Sequence, residues 1–351
     1  MTDQTAFLKN LVSLPGLSGY EEPVRQVISD AWRQLVDEIS TSPLGSIHAL
    51  RRGNGKEPRP SLLLAAHMDA IGFMVSGIED EFLRVSRIGG LDPRVLPGQR
   101  VTVHGREELP GIIVQPPAFS LPARTDEVIP IEYLLVDVGL LPSDIPSRVR
   151  IGDLVSFAQQ PVEMTGNVLV GHSLDNRASV AAVTACLEYL QGRQAAWDVW
   201  AVATVQEEEN LAGALTSGYG LRPSLAVAID VTFGSGPGSP ENKTFPFGKG
   251  LTLGWGPNIH PKLFQAFKDL AEKLEIPYKI EVMPRFSGTD AIGLQVAAEG
   301  IPTMVVSIPL RYMHTPVEMV VMKDIERTGR LLAEFVGSLA PDFADTLIWE
   351  E

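Results

Sequence analysis

Cysteine is almost absent from this chain: Cys186 is the only thiol in 351 residues. One thiol cannot close an internal disulfide, and zinc sites built on several thiolates are excluded as well. Cys186 falls inside the apolar run Ala181–Leu190 and reads as a small core residue. No stretch approaches the ~18 uninterrupted apolar residues of a membrane span. Basic residues are the minority, 29 against 43 acidic ones, leaving a formal net charge of −14. Such a field repels phosphate, so nucleic acid and anionic membranes are not expected partners. The opening Met1-Thr2-Asp3-Gln4 lacks the basic run of a signal peptide, and a cytoplasmic location is expected. What is plentiful is core material. Hydrophobic residues make up 44% and charged residues 21%, which excludes a disordered chain, and the length suits about two domains.

Periodicity divides the chain into three stretches. Near the start, Ser18 and Glu21 have capping-box spacing, Pro23 sits in a first turn, and Val24, Val27, Ile28, Ala31, Trp32 and Leu35 recur at helical intervals. Ser61–Ala66 is a short apolar run of buried-strand type that ends at His67-Met68-Asp69. From about residue 70 to 164 the texture changes to short β-like runs, Gly72–Val75, Arg100–His104, Gly111–Val114, Tyr133–Val138 and Leu154–Phe157, separated by Gly and Pro signals, the pattern of a small all-β domain or barrel. After Gly166 strands and helices alternate, with strand candidates at Val199–Val205, Leu225–Ile229, Gly250–Leu253, Tyr278–Val282 and Thr303–Ile308. Helix candidates lie at about Asn176–Leu190, Pro261–Leu274, Asp290–Ala298 and Lys323–Leu339, and Phe233–Lys249 reads as a surface loop. Alternation of this kind predicts a mostly parallel sheet covered on both faces. The simplest architecture is an α/β domain formed by residues 1–69 and 165–351, interrupted by an inserted β domain at 70–164.

In open α/β sheets, sites form beyond the carboxyl ends of strands. Several strand candidates end there in a potential metal ligand: His67 and Asp69, Glu207 and Glu208, Asp230, and His314. Asp175 opens the long helix. Imidazole and carboxylate together suit zinc, cobalt or manganese, and the donors are numerous enough for more than one ion. Asp69 is two residues from His67 on an extended chain, so both project to one side and the carboxylate could orient the imidazole. Adjacent Glu207 and Glu208 directly follow an apolar strand, where a merely solvated acidic pair is out of place. They could divide labour, one binding metal and one moving a proton.

Six ordered segments carry a resemblance: His67-Met68-Asp69, Leu174-Asp175-Asn176-Arg177, Gln206-Glu207-Glu208, Ala228-Ile229-Asp230-Val231, Ser287-Gly288-Thr289-Asp290-Ala291 and Arg311-Tyr312-Met313-His314-Thr315-Pro316. In this order and at these separations the chain resembles the tetrahedral (TET-type) dinuclear-metal aminopeptidases. That family includes glutamyl and deblocking aminopeptidases, and some members carry an endoglucanase label. The resemblance covers nearly the whole chain, including Gly90-Leu91-Asp92-Pro93 and Leu96-Pro97-Gly98-Gln99-Arg100-Val101 of the inserted domain. It implies a three-layer α/β/α, zinc-exopeptidase-like catalytic domain with an inserted barrel-like dimerisation domain, and dimers that build a hollow homo-dodecamer. It also implies two divalent ions per subunit, zinc or cobalt first and manganese next. Asp175 would bridge them, His67 and Asp230 would complete one ion, and Glu208 and His314 the other. Glu207 would be the general base for the attacking water, and Asp69 would hold His67 in its tautomer. One ion could receive a free α-amine, so the expected substrates are peptides with a free N-terminus. A cis peptide bond is expected between Asp175 and Asn176.

The chain departs from the family pattern at Ala70, Glu209, Asn210 and Ala212, none of them an implied ligand. His48 and His104 read as peripheral, His260 as structural, His172 as a possible neighbour of the site, and Asp290 as a helix cap or loop fastener. A metal-dependent deacylase or carboxypeptidase is the nearest rival enzyme. A glycosidase would need two carboxyls facing each other ~5–9.5 Å apart across a sugar, and would leave the histidines unexplained. A non-enzymatic scaffold predicts a broken ligand set, whereas every implied ligand is present.

Overall fold

The computed structural model describes residues 3–117, 121 and 128–348. Its centre is the strand Ser61–His67, six of whose seven residues are buried. A continuous run of Leu and Ala suits a strand covered on both faces. Parallel neighbours flank it: Asp198–Thr204 on one side, and Leu225–Phe233 followed by Thr303–Arg311 on the other. Antiparallel strands extend the sheet outward, Ile47–Arg51 and Glu38–Thr41 at one margin, Glu318–Val321, Val168–Gly171 and Val162–Met164 at the other. Leu251–Trp255 pairs antiparallel with Thr303–Arg311 and parallel with Tyr278–Val282. The sheet is therefore mixed, not mostly parallel as expected: the four central strands are parallel, Leu251–Trp255 and Tyr278–Val282 form one further parallel pair, and the marginal strands join antiparallel.

The helices behave as their apolar stripes require. Leu174–Tyr189 is rich in Ala and buried from Leu174 to Leu187, which lets a second helix, Met322–Ser338, lie very close to it. The contact is made at Gly329, where a Cβ would come within 2.6 Å of the Ala185 Cβ and 2.8 Å of the Ala182 carbonyl oxygen. Trp32, from the helix Glu22–Trp32, donates its indole N–H to Thr184 Oγ1 at 2.8 Å. A helix over Gln4–Val12, capped by Asp3, was not expected from the sequence. It is only nine residues long, too short for its periodicity to stand out.

The capping box expected at Ser18 and Glu21 does not form. Ser18 donates its backbone N–H to the Ala70 carbonyl, and Glu21 turns inward to accept N–H bonds from Gly19 at 2.6 Å and Gln206 at 3.2 Å. The Glu21 carboxylate is thus shared between Gly19 and the distant Gln206, and the Ser18 N–H that a cap would have offered it is paired with Ala70 instead.

The second body is a closed six-stranded barrel in the order Gly72–Glu79, Phe82–Ile88, Leu135–Asp137, Glu108–Val114, Arg100–His104, Leu154–Phe157. Phe82–Ile88 was not among the strands expected. The barrel has its own core, including Phe73, Val85, Val101, Val103, Ile113, Val136 and Val155. The fold is thus an α/β sheet domain with an all-β barrel inserted after the strand that ends in His67.

Candidate metal centre

The carboxyl edge of the central strands gathers the candidate residues. His67 is the last residue of its strand, and Glu207 opens a short helical turn, Glu207–Asn210, shortly after the strand Asp198–Thr204. His314 follows Thr303–Arg311. Asp230 differs slightly from expectation: its strand runs on to Phe233, so it projects from within the strand. Asp175 stands at the head of the long helix with non-helical backbone angles, and the peptide bond from Asp175 to Asn176 is cis, as expected. The Asn176 amide donates to the Ile229 carbonyl oxygen at 2.9 Å, which ties this turn to the strand carrying Asp230.

Asp175 reaches both histidines. Its Oδ1 lies 3.2 Å from His67 Nε2 and its Oδ2 lies 3.3 Å from His314 Nε2. Around His67 Nε2 stand Glu207 Oε2 at 3.7 Å and Asp230 Oδ1 at 3.9 Å, and Glu208 Oε2 is 3.5 Å from His314 Nε2. Two sets of three donor atoms, His67 with Glu207 and Asp230, and His67 with Asp175 and Glu208, each lie within 4.8 Å of one another. Asp69 is wholly buried, 3.4 Å from His67 Nδ1, and accepts the backbone N–H groups of Glu207 at 3.1 Å and Glu208 at 3.2 Å. It therefore fixes the turn bearing both glutamates as well as facing the imidazole.

The electrostatics fit cations. Burial pushes the Glu207 carboxyl up to about 9, with Asp230, Asp290 and Asp175 adding to the effect and His67 opposing it. Glu208 and Asp230 are also held well above the usual carboxylate range, first by burial and then by neighbouring carboxylates. Asp175 is lowered, because contacts to His314 and His67 outweigh its burial, and Asp69 is lowered as well, its burial outweighed by His67 and the Glu207 N–H. Among the described residues no lysine or arginine pairs with Asp175, Glu207, Glu208 or Asp230. Two buried aspartates and two half-buried glutamates around two imidazoles crowd acidic groups together, which divalent ions relieve, and imidazole and carboxylate are chemically suited to bind such ions.

Several supporting residues were invisible in the sequence. Glu318, 1% exposed, accepts the Asp175 N–H at 3.0 Å through Oε2 and the His314 N–H at 2.9 Å through Oε1. Ser173, Gln206, Tyr312 and His314 all hold left-handed φ values between 57° and 61°. Strained non-glycine backbone of this kind concentrates at functional sites. Only a glycine or asparagine would have signalled it in the sequence. From the barrel, Gly90 packs so near His314 that a Cβ would lie 2.9 Å from Nδ1, and Gly89 donates its N–H to Glu209 Oε1 at 2.6 Å. The departure at Glu209 is thus a clamp between the two bodies.

The other histidines lie outside the centre. His48 contacts Ser217 Oγ, His104 contacts Ser156 Oγ, and His260 precedes the helix Pro261–Lys273 and contacts the Leu347 carbonyl. His172 is buried, contacts Ser173 Oγ, and belongs to neither donor set. Asp290 is bonded by Thr204 Oγ1, while Thr289 is the residue that caps the helix Asp290–Gln295. A cavity of about 600 Å³ opens over the centre. Its lining includes the candidate ligands together with Thr232, Phe233, Glu281, Met283, Phe286 and Ser307.

Clustered imidazole and carboxylate at the carboxyl edge of an α/β sheet, under an open cavity, define the hydrolase class that works through bound metal. The comparisons narrow that class. The model of the M42 glutamyl aminopeptidase family matches residues 45–331, and the chain belongs to this family. It is 34% identical over 342 residues to the lysyl aminopeptidase of Pyrococcus furiosus, covering 95% of this chain and 97% of that protein. The aminopeptidase APDkam598 from Desulfurococcus kamchatkensis superposes with a TM-score of 0.91 at 33% identity, covering 98% of this chain and 97% of that one. The TET1 peptidase of Pyrococcus horikoshii, which can assemble into a tetrahedron or a large octahedral shell, gives 0.83 at 29% identity, covering 96% and 100%. The chain is accordingly a hydrolase of the exopeptidase type, a metal-dependent aminopeptidase related to the TET enzymes.

Proposed function

We propose that this chain removes N-terminal residues from peptides with two divalent ions, and that Glu207 is the general base. The observation that carries this is the division of one carboxylate: Asp175 turns Oδ1 to His67 and Oδ2 to His314. A residue so placed can serve two ions at once. His67 and Asp230 would complete one ion, and Glu208 and His314 the other. Bound there, zinc, cobalt or manganese would polarise the scissile carbonyl and lower the pKa of water. Glu207, half-buried beside His67, would be held ionised by the bound cations, so that it accepts the proton of the attacking water and returns it to the departing amine. Asp69 orients His67 and fixes the turn carrying Glu207 and Glu208.

Residues 70–164 form the inserted domain in this reading, residues 1–69 and 165–351 the catalytic one. We assign the barrel the role of pairing subunits, and the pairs a dodecameric shell, by analogy with the assembling TET1 peptidase. The lone buried thiol, Cys186, is compatible with a cytoplasmic setting. Light scattering checks the assembly, since a monomeric mass at micromolar concentration contradicts both dimer and shell. The function is tested with aminoacyl-anilide substrates. Exhaustive chelation should abolish hydrolysis, and reloading with zinc, cobalt or manganese should restore it. Full activity in metal-free protein, or equal cleavage of N-acetylated substrates, would refute the proposal.

A further inference from the structure

Two acids in the cavity are left over by this chemistry: Glu209, whose Oε1 accepts the Gly89 N–H, and Glu281. Glu281 lies on the strand Tyr278–Val282, opposite Gly254 of Leu251–Trp255, and lines the cavity without belonging to either donor set. Its carboxylate is gripped by hydroxyls. Thr232 Oγ1 donates to Oε1 at 2.7 Å and Thr252 Oγ1 donates to Oε2 at 2.6 Å. Two neutral donors, one on each oxygen, hold a carboxylate in place without cancelling its charge. Among the described residues Glu281 makes no ion pair, and neither lysine nor arginine lines the cavity. Two divalent ions would balance Asp175, Glu207, Glu208 and Asp230 and leave Glu281 without a counter-cation. The same cavity is lined by Phe233, Met283 and Phe286. Apolar side chains together with an anion fixed by hydroxyls match a long side chain that has a methylene stem and a cationic head.

We propose that Glu281 selects peptides whose N-terminal residue is lysine or arginine, by pairing with the ammonium or guanidinium of that side chain. This rests on the aminopeptidase reading above and adds the substrate class to it. Glu281 disfavours a glutamyl or aspartyl N-terminus through like-charge repulsion, despite the glutamyl description of the family. Burial raises the Glu281 carboxyl above its ordinary range in the free protein, against the pull of Thr252, Thr232 and Ser307. A cation beside it favours the ionised form.

The test uses metal-loaded enzyme and lysyl, arginyl, leucyl and glutamyl p-nitroanilides. Lysyl and arginyl substrates should exceed the leucyl one in kcat/KM, with the glutamyl one poorest. Glu281→Gln preserves size and hydrogen bonding but removes the charge. It should lower the lysyl-to-leucyl ratio of kcat/KM by about 10- to 100-fold, chiefly through KM for the lysyl substrate. Calorimetric titration with lysinamide and leucinamide gives a readout independent of turnover. Lysinamide should bind the wild type more tightly, and Glu281→Gln should erase the difference. Wild type that cleaves leucyl substrates as well as lysyl ones overturns the proposal without any variant. So does a Glu281→Gln variant in which both substrates fall in proportion, since that marks a role in the α-amine or in folding. If no anilide is cleaved, the aminopeptidase reading fails. Tighter lysinamide binding that depends on Glu281 would still support the cation site in that case, and equal binding of the two amides would overturn it.

Discussion

Glu318 Oε2 accepts the backbone N–H of Asp175 at 3.0 Å, across 143 residues of sequence. Through Oε1 the same carboxylate holds the N–H of His314. One buried side chain therefore sets the relative position of the residue facing both histidines and one of those histidines. Glu318 touches neither substrate nor ion in this arrangement and acts as a positioning residue.

Glu318→Gln tests that role. The amide has a single acceptor oxygen, so one of the two N–H groups loses its partner and faces another donor instead. Outer-sphere substitutions of this kind cost about 10–100-fold in metal affinity or activity. Metal content after dialysis and kcat/KM should both fall by amounts in that range. Retention of metal at the wild-type level with unchanged kinetics would assign Glu318 to the core alone.

Glu207 and Glu208 are adjacent, yet they should answer substitution differently. Glu207→Gln removes the proton acceptor and should lower kcat by about 10²–10⁴-fold, with metal content near wild type. Glu208→Gln should weaken one ion. Because Glu207 Oε2 also stands 3.7 Å from His67 Nε2, the alternative assignment is geometrically open. A Glu207→Gln variant that loses metal while Glu208→Gln keeps it would reverse the two roles.

Gly90 connects the barrel to the centre. An added Cβ would press on the His314 ring at 2.9 Å from Nδ1 and 3.1 Å from Cε1, so the ring must give way. Gly90→Ala should reduce the affinity for one of the two ions and slow turnover, while leaving the barrel folded. Titration of apoenzyme with zinc would then show one weakened step out of two. Two unchanged steps would mean that the loop moves and the ring does not.

The ligand-bearing residues were legible because each sits in or beside an apolar run: His67 ends one, Asp230 follows Leu225–Ile229, and Glu207 lies just past Val205. The barrel was legible from its turn signals, although Phe82–Ile88 escaped notice because Arg84, Ser86 and Arg87 dilute its apolar content. Glu318 and Glu281 were illegible because Asp175 for the first, and Thr232 and Thr252 for the second, lie far away in sequence, and no local pattern records such a contact. Glu21 was read as a local cap, and its distant partner Gln206 was hidden in the same way. The mixed sheet was hidden likewise. The direction of a marginal strand is set by how its connection returns, not by its composition.

Glu21 yields a prediction about pH and stability. It is 3% exposed, and burial pushes its carboxyl up to about 7; the Gly19 N–H opposes the shift and Asp69 adds to it. The folded protein therefore keeps a proton that the unfolded chain releases near its ordinary value of 4.5. Between those two values the folded state binds more protons, so the Glu21 contribution to stability falls as pH rises through the window and is constant above it. Glu21→Gln cannot ionise, and its amide oxygen still accepts an N–H bond. The melting temperature of the variant relative to wild type should climb as pH increases from about 4.5 to about 7 and then level off. Paired calorimetric melts across that range measure it directly. A difference that is flat with pH would show that Glu21 titrates normally, and that the turn at Gly19 and Gln206 solvates its charge in full.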